Sequence, residues 1–144
     1  MCISGRRTAP SAGALLALEM YVVTHTGLYR YERQAHALSL HQSGDLRQQL
    51  STAALDQICV LKAAAVFVIT ADFDRLFTKY GKERSRRYAY MEAGHAAQNL
   101  LLQAAALGLG AVPAGAFSDV QVKEVLELPA DQQPLYLIPA GYRK

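Results

Sequence analysis

The hydrophobic positions of this chain follow a period of two in some segments and a helical period in others, which predicts a fold mixing strands with helices. Residues 18–25 read LEMYVVTH and residues 63–71 read AAAVFVITA. The first segment alternates and is β-branched towards its end, as in a strand. The second is apolar throughout, which is expected of a strand covered on both faces. We therefore predict a strand over 18–25 and a central strand over 63–71.

Three shorter segments complete the predicted sheet. Residues 28–32 and 37–41 have the composition of two short paired strands around a turn at 33–36. Residues 135–138, after a proline, predict a last strand.

The helical period is clearest at residues 91–117, MEAGHAAQNLLLQAAALGLGAVPAGAF. At about 100° per residue, one narrow stripe of the helix is polar and the opposite face carries mainly small residues. The stripe consists of Glu92, His95, Asn99 and Gln103; the small-residue face consists of Ala93, Gly94, Ala97, Leu101, Ala104, Ala105 and Gly108. This pattern predicts a helix buried nearly all round and closely approached by a neighbouring helix or by the same helix of a second copy.

Helix boundaries are indicated by capping residues and glycines. Gly108 and Gly110 predict the end of the long helix, and residues 111–117 follow as an extended segment against which a ligand could lie flat. Further helices are predicted from Asp45 to about residue 58, after Asp72 or Asp74, and from Ser118 towards Pro129, with a basic turn at 82–87. These elements predict an α+β or α/β fold with three layers.

Composition restricts the class of protein. The chain has 144 residues, of which 51% are hydrophobic and 19% charged, so it is expected to form one packed domain and not a disordered chain. Two cysteines, Cys2 and Cys59, make neither a disulfide framework nor a zinc site, and His36 and His41 lack ligand spacing, so no metal is expected. We find neither a membrane-spanning run nor a signal peptide, and expect a cytoplasmic protein.

The net charge of +3 arises partly from a basic run between Lys82 and Arg87. A solvated helix face or loop is the simpler interpretation of this run, and a nucleic-acid or phosphate-binding patch is the alternative. No aromatic stacking pattern accompanies the run, which argues against nucleic acid as a partner.

Two other stretches carry candidate chemistry. The loop at 4–13 offers two arginines, hydroxyl groups and backbone amides to a phosphate, although a basic loop leading into a helix has the same composition. Lys79 and Tyr80 could transfer a proton, whereas their spacing alone favours packing roles. The glycines at 108, 110 and 115 have neither dinucleotide-binding nor triphosphate-binding spacing.

Six segments occur in one order along almost the whole chain: APSAGAL at 9–15, LEMYVV at 18–23, KYG at 79–81, RYAY at 87–90, EAGHAAQNL at 92–100 and GLGAVP at 108–113. Together they resemble the nitroreductase family of flavoproteins, and specifically its SagB-type dehydrogenase branch. The resemblance implies one nitroreductase-like FMN-binding domain over 1–144, with a central mixed sheet flanked by helices in three layers and without the usual first helix segment.

The resemblance also implies an activity. Such proteins bind FMN, usually at a homodimer interface, and transfer hydride through flavin N5 to or from NADH, NADPH or an organic substrate. In the SagB branch the substrate is an azoline ring of a peptide, which is oxidised to an azole. A small organic or peptide substrate is therefore expected, and a membrane is not.

Site residues follow from the resemblance by position. Pro10, Ser11, Ala12 and Gly13 match the loop that touches the flavin, and Pro113, Ala114, Gly115 and Ala116 match the segment whose backbone amides face it. Arg143, with Lys144 beside it, lies where the family places a cation near the FMN phosphate. Lys79 and Tyr80 match the pair implicated in proton removal.

The chain departs from the family at its start, because Met1 stands only nine residues before Pro10. Relatives normally carry an arginine- and serine-rich segment upstream that contacts the FMN phosphate; Arg6 and Arg7 are the candidates to replace it here. Leu16, Ala17 and Ala116 stand where tyrosine, proline and glycine are usual. Two interpretations stay open: an FMN-dependent oxidoreductase, and a truncated homologue that binds flavin weakly or not at all and acts as an interaction partner or is a remnant.

Overall fold

Six strands form the main sheet of this computed structural model, which describes residues 2–3 and 6–142. The strands of the described chain are β1 (Cys2–Ile3), β2 (Arg6–Arg7), β3 (Leu18–Val23), β4 (Gly27–Glu32), β5 (Ala37–Ser43), β6 (Ala65–Asp72), β7 (Leu109–Ala111) and β8 (Gln132–Tyr142). The main sheet has the order β5-β4-β3-β6-β8-β7, and β1 pairs with β2 separately. Each described pair is antiparallel, so the expected mixture of strand directions is not found.

Strand β6 lies in the interior of the sheet, between β3 and β8, as its uninterrupted apolar sequence predicted. Val66 and Val68 pack into the core on one face, while Ile69 and Ala71 belong to clusters on the other. The predicted strands over 18–25, 28–32 and 37–41 are confirmed as β3, β4 and β5. Strand β8 is longer than predicted because pairing with β6 and β7 extends it over Pro134 and Pro139, which by composition disfavour a strand.

Helices cover both faces of the sheet: α1 (Arg47–Ala53), α2 (Ile58–Lys62), α3 (Asp74–Ala106) and α4 (Asp119–Val125). Leu50, Val60 and Val122 of α1, α2 and α4 join one core cluster, which contains Val66 and Leu137 of the sheet. Ala93 and Ala97 of α3 pack against Ile69 and Ile138 on the opposite face. The three-layer α+β architecture is therefore confirmed.

The helix predicted from Asp45 to residue 58 is wrong in its extent. Leu55 and Asp56 have φ of 59° and 58°, and this left-handed backbone separates α1 from α2. The backbone amide of Asp56 donates to the carbonyl of Ser51 at 2.9 Å, and the Ser51 hydroxyl donates to the carbonyl of Gln57 at 3.0 Å, which stabilises the turn. The start predicted at Ser118 for the last helix is confirmed, because the Gln121 amide donates to Ser118 Oγ at 3.4 Å.

Helix α3 includes the basic run that was predicted to be a turn. Its single break is at Gly81, where φ is 74° and ψ is 167°, so Lys82 to Arg87 form the first turns after the break. The four cations of the run are solvent-exposed, as in the solvated-face interpretation. The helix ends at Ala106, and Gly108 follows with φ of 73°, as predicted.

The prediction that α3 is buried nearly all round is wrong for the single chain. Met91 and Leu102 are 49% and 59% exposed, and Leu107, directly after the helix, is 62% exposed. Burial is confined to the face that meets the sheet, where Ala93 and Ala97 lie. Within the described residues, no helix has both the length and the apolar character needed to cross a membrane.

Candidate functional site

The loop that precedes β3 makes a tight turn with an unusual backbone. Gly13, Ala14 and Leu16 have φ of 58°, 56° and 54°. A left-handed conformation costs roughly 1–2 kcal/mol for a residue with a Cβ, so surrounding contacts must hold the turn. Ser11 precedes the turn, and its Oγ accepts a hydrogen bond from the Leu16 amide at 2.8 Å, which closes the turn.

Arginine side chains anchor the end of this turn. The carbonyl oxygen of Leu16 accepts hydrogen bonds from Arg33 at 3.2 Å and from Arg75 at 2.9 Å. Both arginines also form ion pairs with Glu19, at 2.8 Å and 2.7 Å, and Arg30 adds a third at 3.4 Å. The Glu19 side chain is only 1% exposed, so a buried carboxylate beneath the turn gathers three cations.

This cluster was not predicted from the sequence. The available signal was a glutamate within the otherwise apolar strand LEMYVV, since a charge at such a position is buried only with partners. The identity of the partners depends on the strand register, which places Arg30 opposite Tyr21 of β3, and on the approach of α3. Neither can be derived from spacing along the chain.

We expect Glu19→Gln to lower the free energy of unfolding by about 3 kcal/mol, because the neutral side chain leaves three guanidinium groups without their shared partner. This value is at the low end for a broken buried pair, since the arginines keep partial contact with water. Chemical denaturation measures it, with the exposed Glu83→Gln as the control. Equal midpoints for the two variants would show that the cluster contributes nothing to stability.

Lys79 and Tyr80 contact the turn directly. They lie in the last turn of α3 before the break at Gly81. A Cβ atom built on Gly13 would lie 2.7 Å from Tyr80 Oη and 2.8 Å from Lys79 Nζ. The Lys79 Nζ is 5.5 Å from the centroid of the Tyr80 ring, whose edge-to-face partner is Tyr88 at 4.9 Å. The structure thus brings the predicted acid–base pair against the predicted flavin-binding turn.

The second predicted flavin-facing segment, Pro113 to Ala116, lies beside strand β8. Ala114 is buried and pairs with Leu137, its amide donating at 2.7 Å, whereas Pro113, Gly115 and Ala116 are exposed. The carbonyl oxygen of Ala116 accepts a hydrogen bond from Gln57 Nε2 at 2.8 Å. Ala116 does not have a positive φ, so replacement of the usual glycine causes no backbone strain here.

The two predicted flavin-facing segments pack on opposite faces of the sheet. Ala12 joins the cluster of Ala71 and Leu76 on the α3 face, whereas Ala114 belongs to the cluster of Val66 and Leu137 on the other face. Within one copy, the sheet therefore lies between them.

Part of the polar stripe of α3 faces the amino-terminal segment. Asn99 Nδ2 donates to Thr8 Oγ1 at 3.4 Å, and the carboxyl group of Glu92 faces the Ser11 hydroxyl and the Ala12 amide. His95 is exposed. Gln103 lines a cavity of about 640 Å³ between α3 and the sheet, with Arg7, Thr8, Met20, Phe67 and Leu100 among its other walls.

The predicted phosphate-binding arginines are placed only in part. Arg7 is exposed and lines this cavity. The backbone of Arg6 pairs with Ile3. Arg143 and Lys144 lie outside the described residues. Among the described residues, no three His, Cys, Asp or Glu side chains cluster so as to hold a metal ion.

The fold defines a class of α+β proteins in which helices cover both faces of a six-stranded antiparallel sheet. The family model described as "Nitroreductase family" matches residues 2–142. The chain therefore belongs to the nitroreductase family.

Individual relatives agree with this assignment. A protein of Methanocaldococcus jannaschii named as a nitroreductase is 38% identical over 143 residues, which cover 95% of this chain and 71% of the relative. A solved Anabaena variabilis protein, also named as a nitroreductase, superposes with a TM-score of 0.85 at 31% identity and covers 97% of this chain. This chain spans only 30% of that one.

Two further solved structures carry more specific names. A chain of the Escherichia coli microcin synthetase McbBCD complex, solved with truncated pro-MccB17 bound, has a TM-score of 0.87 and 26% identity, over 98% of this chain and 57% of that one. The NADPH:FMN oxidoreductase of Vibrio harveyi, complexed with NAD+, has a TM-score of 0.70 and 25% identity, over 94% of this chain and 54% of that one.

Proposed function

We propose that the protein is an FMN-dependent oxidoreductase of the SagB-type dehydrogenase branch. The observation that carries the proposal is the convergence of Lys79 Nζ and Tyr80 Oη on Gly13. A proton-transferring pair adjoins a turn that exposes a bare Cα, in a chain of the nitroreductase family. The missing side chain at Gly13 is what allows Lys79 Nζ and Tyr80 Oη to lie against the backbone of this turn.

The residues present fit FMN. Gly13, Gly115 and Ala116 are exposed and offer small or absent side chains to a ring, and Arg7 offers a cation to a phosphate. When bound, FMN supplies the site that accepts or donates hydride. Pro10 to Gly13 would hold the ring, Pro113 to Ala116 would present backbone amides to it, and Arg6, Arg7 and Arg143 are the candidates to bind the phosphate.

We also propose that the complete site belongs to a homodimer. The two backbone segments lie on opposite faces of the sheet within one copy. The exposed apolar side chains of α3 provide a surface for a second copy. Gly94 has open space beside its Cα, since a Cβ atom at this position would meet no atom within 4 Å. Such a surface allows two helix backbones to approach closely.

We therefore expect Gly94→Leu to fold as the parent does but to dissociate, because a bulky side chain would enter the contact between helices. Sedimentation velocity at matched concentrations measures the association. The exposed Gln121→Leu, on α4 at the opposite face of the sheet, controls for added apolar surface. An unchanged dimer in Gly94→Leu would place the interface elsewhere.

The proposed substrate is a small organic molecule or a peptide with an azoline-type ring, with NADH or NADPH as an alternative reductant. Oxidation of such a ring to an azole would transfer a hydride from the ring to bound FMN and release a proton. The Lys79–Tyr80 pair takes the proton, and the turn at Gly13 fixes the position of this pair relative to the substrate ring. We place the reaction in the cytoplasm.

The visible absorption spectrum tests this function. A purified protein that takes up FMN and bleaches on anaerobic addition of NADH or NADPH would agree with catalysis. A colourless protein that takes up no added FMN would instead favour the alternative, a truncated homologue acting as an interaction partner or remnant.

A further inference from the structure

Glu92 is a buried acidic residue to which the proposed chemistry assigns no role. Glu92 lies on α3 and is only 5% exposed. Its Oε2 atom has no hydrogen-bond partner among the described residues. An unpaired buried carboxylate oxygen is costly, since water would otherwise solvate it. A residue kept in such a position despite this cost is a candidate for a functional role.

The surroundings of Glu92 connect it to the turn. Its carboxyl group faces the Ser11 hydroxyl and the Ala12 amide, and Arg7 and Arg33 act on it electrostatically. It lines a cavity of about 120 Å³ together with Glu19, Arg33 and Tyr31. Ala12 is followed by Gly13, against which Lys79 and Tyr80 lie.

We propose that Glu92 is a positioning residue whose ionised carboxylate fixes Ser11 and Ala12 from beneath, and so sets Gly13 against Lys79 and Tyr80. The inference rests on the proposed function for its catalytic meaning. A carboxylate accepting from a hydroxyl and a backbone amide forms charge-assisted hydrogen bonds, which are roughly twice as strong as neutral ones. Protonation of Glu92 therefore loosens the turn.

The same charge has the opposite effect on stability. Burial raises the pKa of Glu92 above its usual value, although the hydrogen bonds from Ser11 and Ala12 and the charges of Arg7 and Arg33 act in the other direction. A carboxyl group whose pKa is higher in the folded state than in the unfolded state costs stability as the pH rises through the folded pKa. Ionised Glu92 thus tightens the turn while it destabilises the fold.

Glu92→Gln separates these two effects, because glutamine keeps the size and an acceptor oxygen without the charge. At about pH 8 we expect the dissociation constant for FMN to be roughly fivefold larger for the variant than for the parent. This factor corresponds to the difference in strength between charge-assisted and neutral hydrogen bonds. The thermal midpoint of the variant should exceed that of the parent at this pH. Both differences should shrink towards about pH 4, where Glu92 is protonated in the parent.

Hydrogen exchange of the Ala12 amide provides a measurement that does not need flavin. We expect this amide to exchange faster in Glu92→Gln than in the parent or in Glu124→Gln, an exposed control on the opposite face of the sheet. A Glu92→Gln variant that is less stable at about pH 8 would indicate a merely structural residue. The inference would also be overturned if the Ala12 amide exchanged equally fast in Glu92→Gln and in the parent. The same holds if the parent binds FMN and Glu92→Gln binds it with equal affinity.

The outcomes distinguish this inference from the proposed function. A parent that binds no FMN refutes the function, while faster Ala12 exchange with raised stability would still support the positioning role. A parent that binds FMN, with Glu92→Gln indistinguishable from it, leaves the function intact and refutes the role of Glu92.

Discussion

Gly13→Ala is expected to reduce turnover by about a hundredfold, the lower range for loss of general acid–base catalysis. The added Cβ would lie 2.7 Å from Tyr80 Oη and 2.8 Å from Lys79 Nζ, so both side chains must move away. These atoms are the ends of flexible side chains, and their displacement costs the fold little. Steady-state kinetics and thermal denaturation of the same preparation measure the two effects.

The control for Gly13→Ala is Gly44→Ala. Gly44 also has a positive φ, 98°, but a Cβ there meets no atom within 4 Å. Both variants therefore carry a comparable backbone cost of roughly 1 kcal/mol. Only Gly13→Ala should lose turnover, and equally active variants would mean that the contact between the turn and the Lys79–Tyr80 pair has no catalytic meaning.

Tyr80→Phe is expected to slow turnover by about a hundredfold without changing the flavin content. The substitution removes the Oη atom that reaches Gly13 and keeps the ring, which packs edge to face on Tyr88 at 4.9 Å and 89°. The protein should therefore fold and bind as before. Stopped-flow reduction and reoxidation of the flavin, with its absorbance as the measure of content, test the expectation.

Tyr90→Phe is the matched control, because Tyr90 is an exposed tyrosine of the same helix whose ring packs on Phe73. It should turn over at the parent rate. If Tyr80→Phe does the same, its hydroxyl group takes no part in proton transfer, and Lys79 becomes the remaining candidate.

Much of the architecture follows from periodicity. The apolar run at 63–71 predicted an interior strand, and β6 packs on both faces. The split between α1 and α2 was not predictable in this way, because Leu55 and Asp56 adopt a left-handed backbone without a glycine to indicate it. The hydrogen bonds around Ser51 that stabilise this turn arise only once the chain is folded.

The residues of the candidate site were proposed one by one from the sequence, whereas their arrangement in space could not be. Sequence similarity indicated the turn at Pro10 to Gly13 and the Lys79–Tyr80 pair separately. Their contact depends on β3 and β6 being neighbours and on the helix break at Gly81, neither of which spacing reveals. The stripe of Glu92 and Asn99 was visible as a pattern, whereas its partners at Thr8, Ser11 and Ala12 were not.

Equilibrium binding of FMN, followed by absorbance in the sedimenting species, tests the central claim most directly. We expect one FMN per chain, travelling with a dimer, since the sheet separates the two proposed ring-facing segments within one copy. A monomer that binds FMN with full affinity would contradict the shared site. A dimer that binds no FMN would contradict the redox function itself.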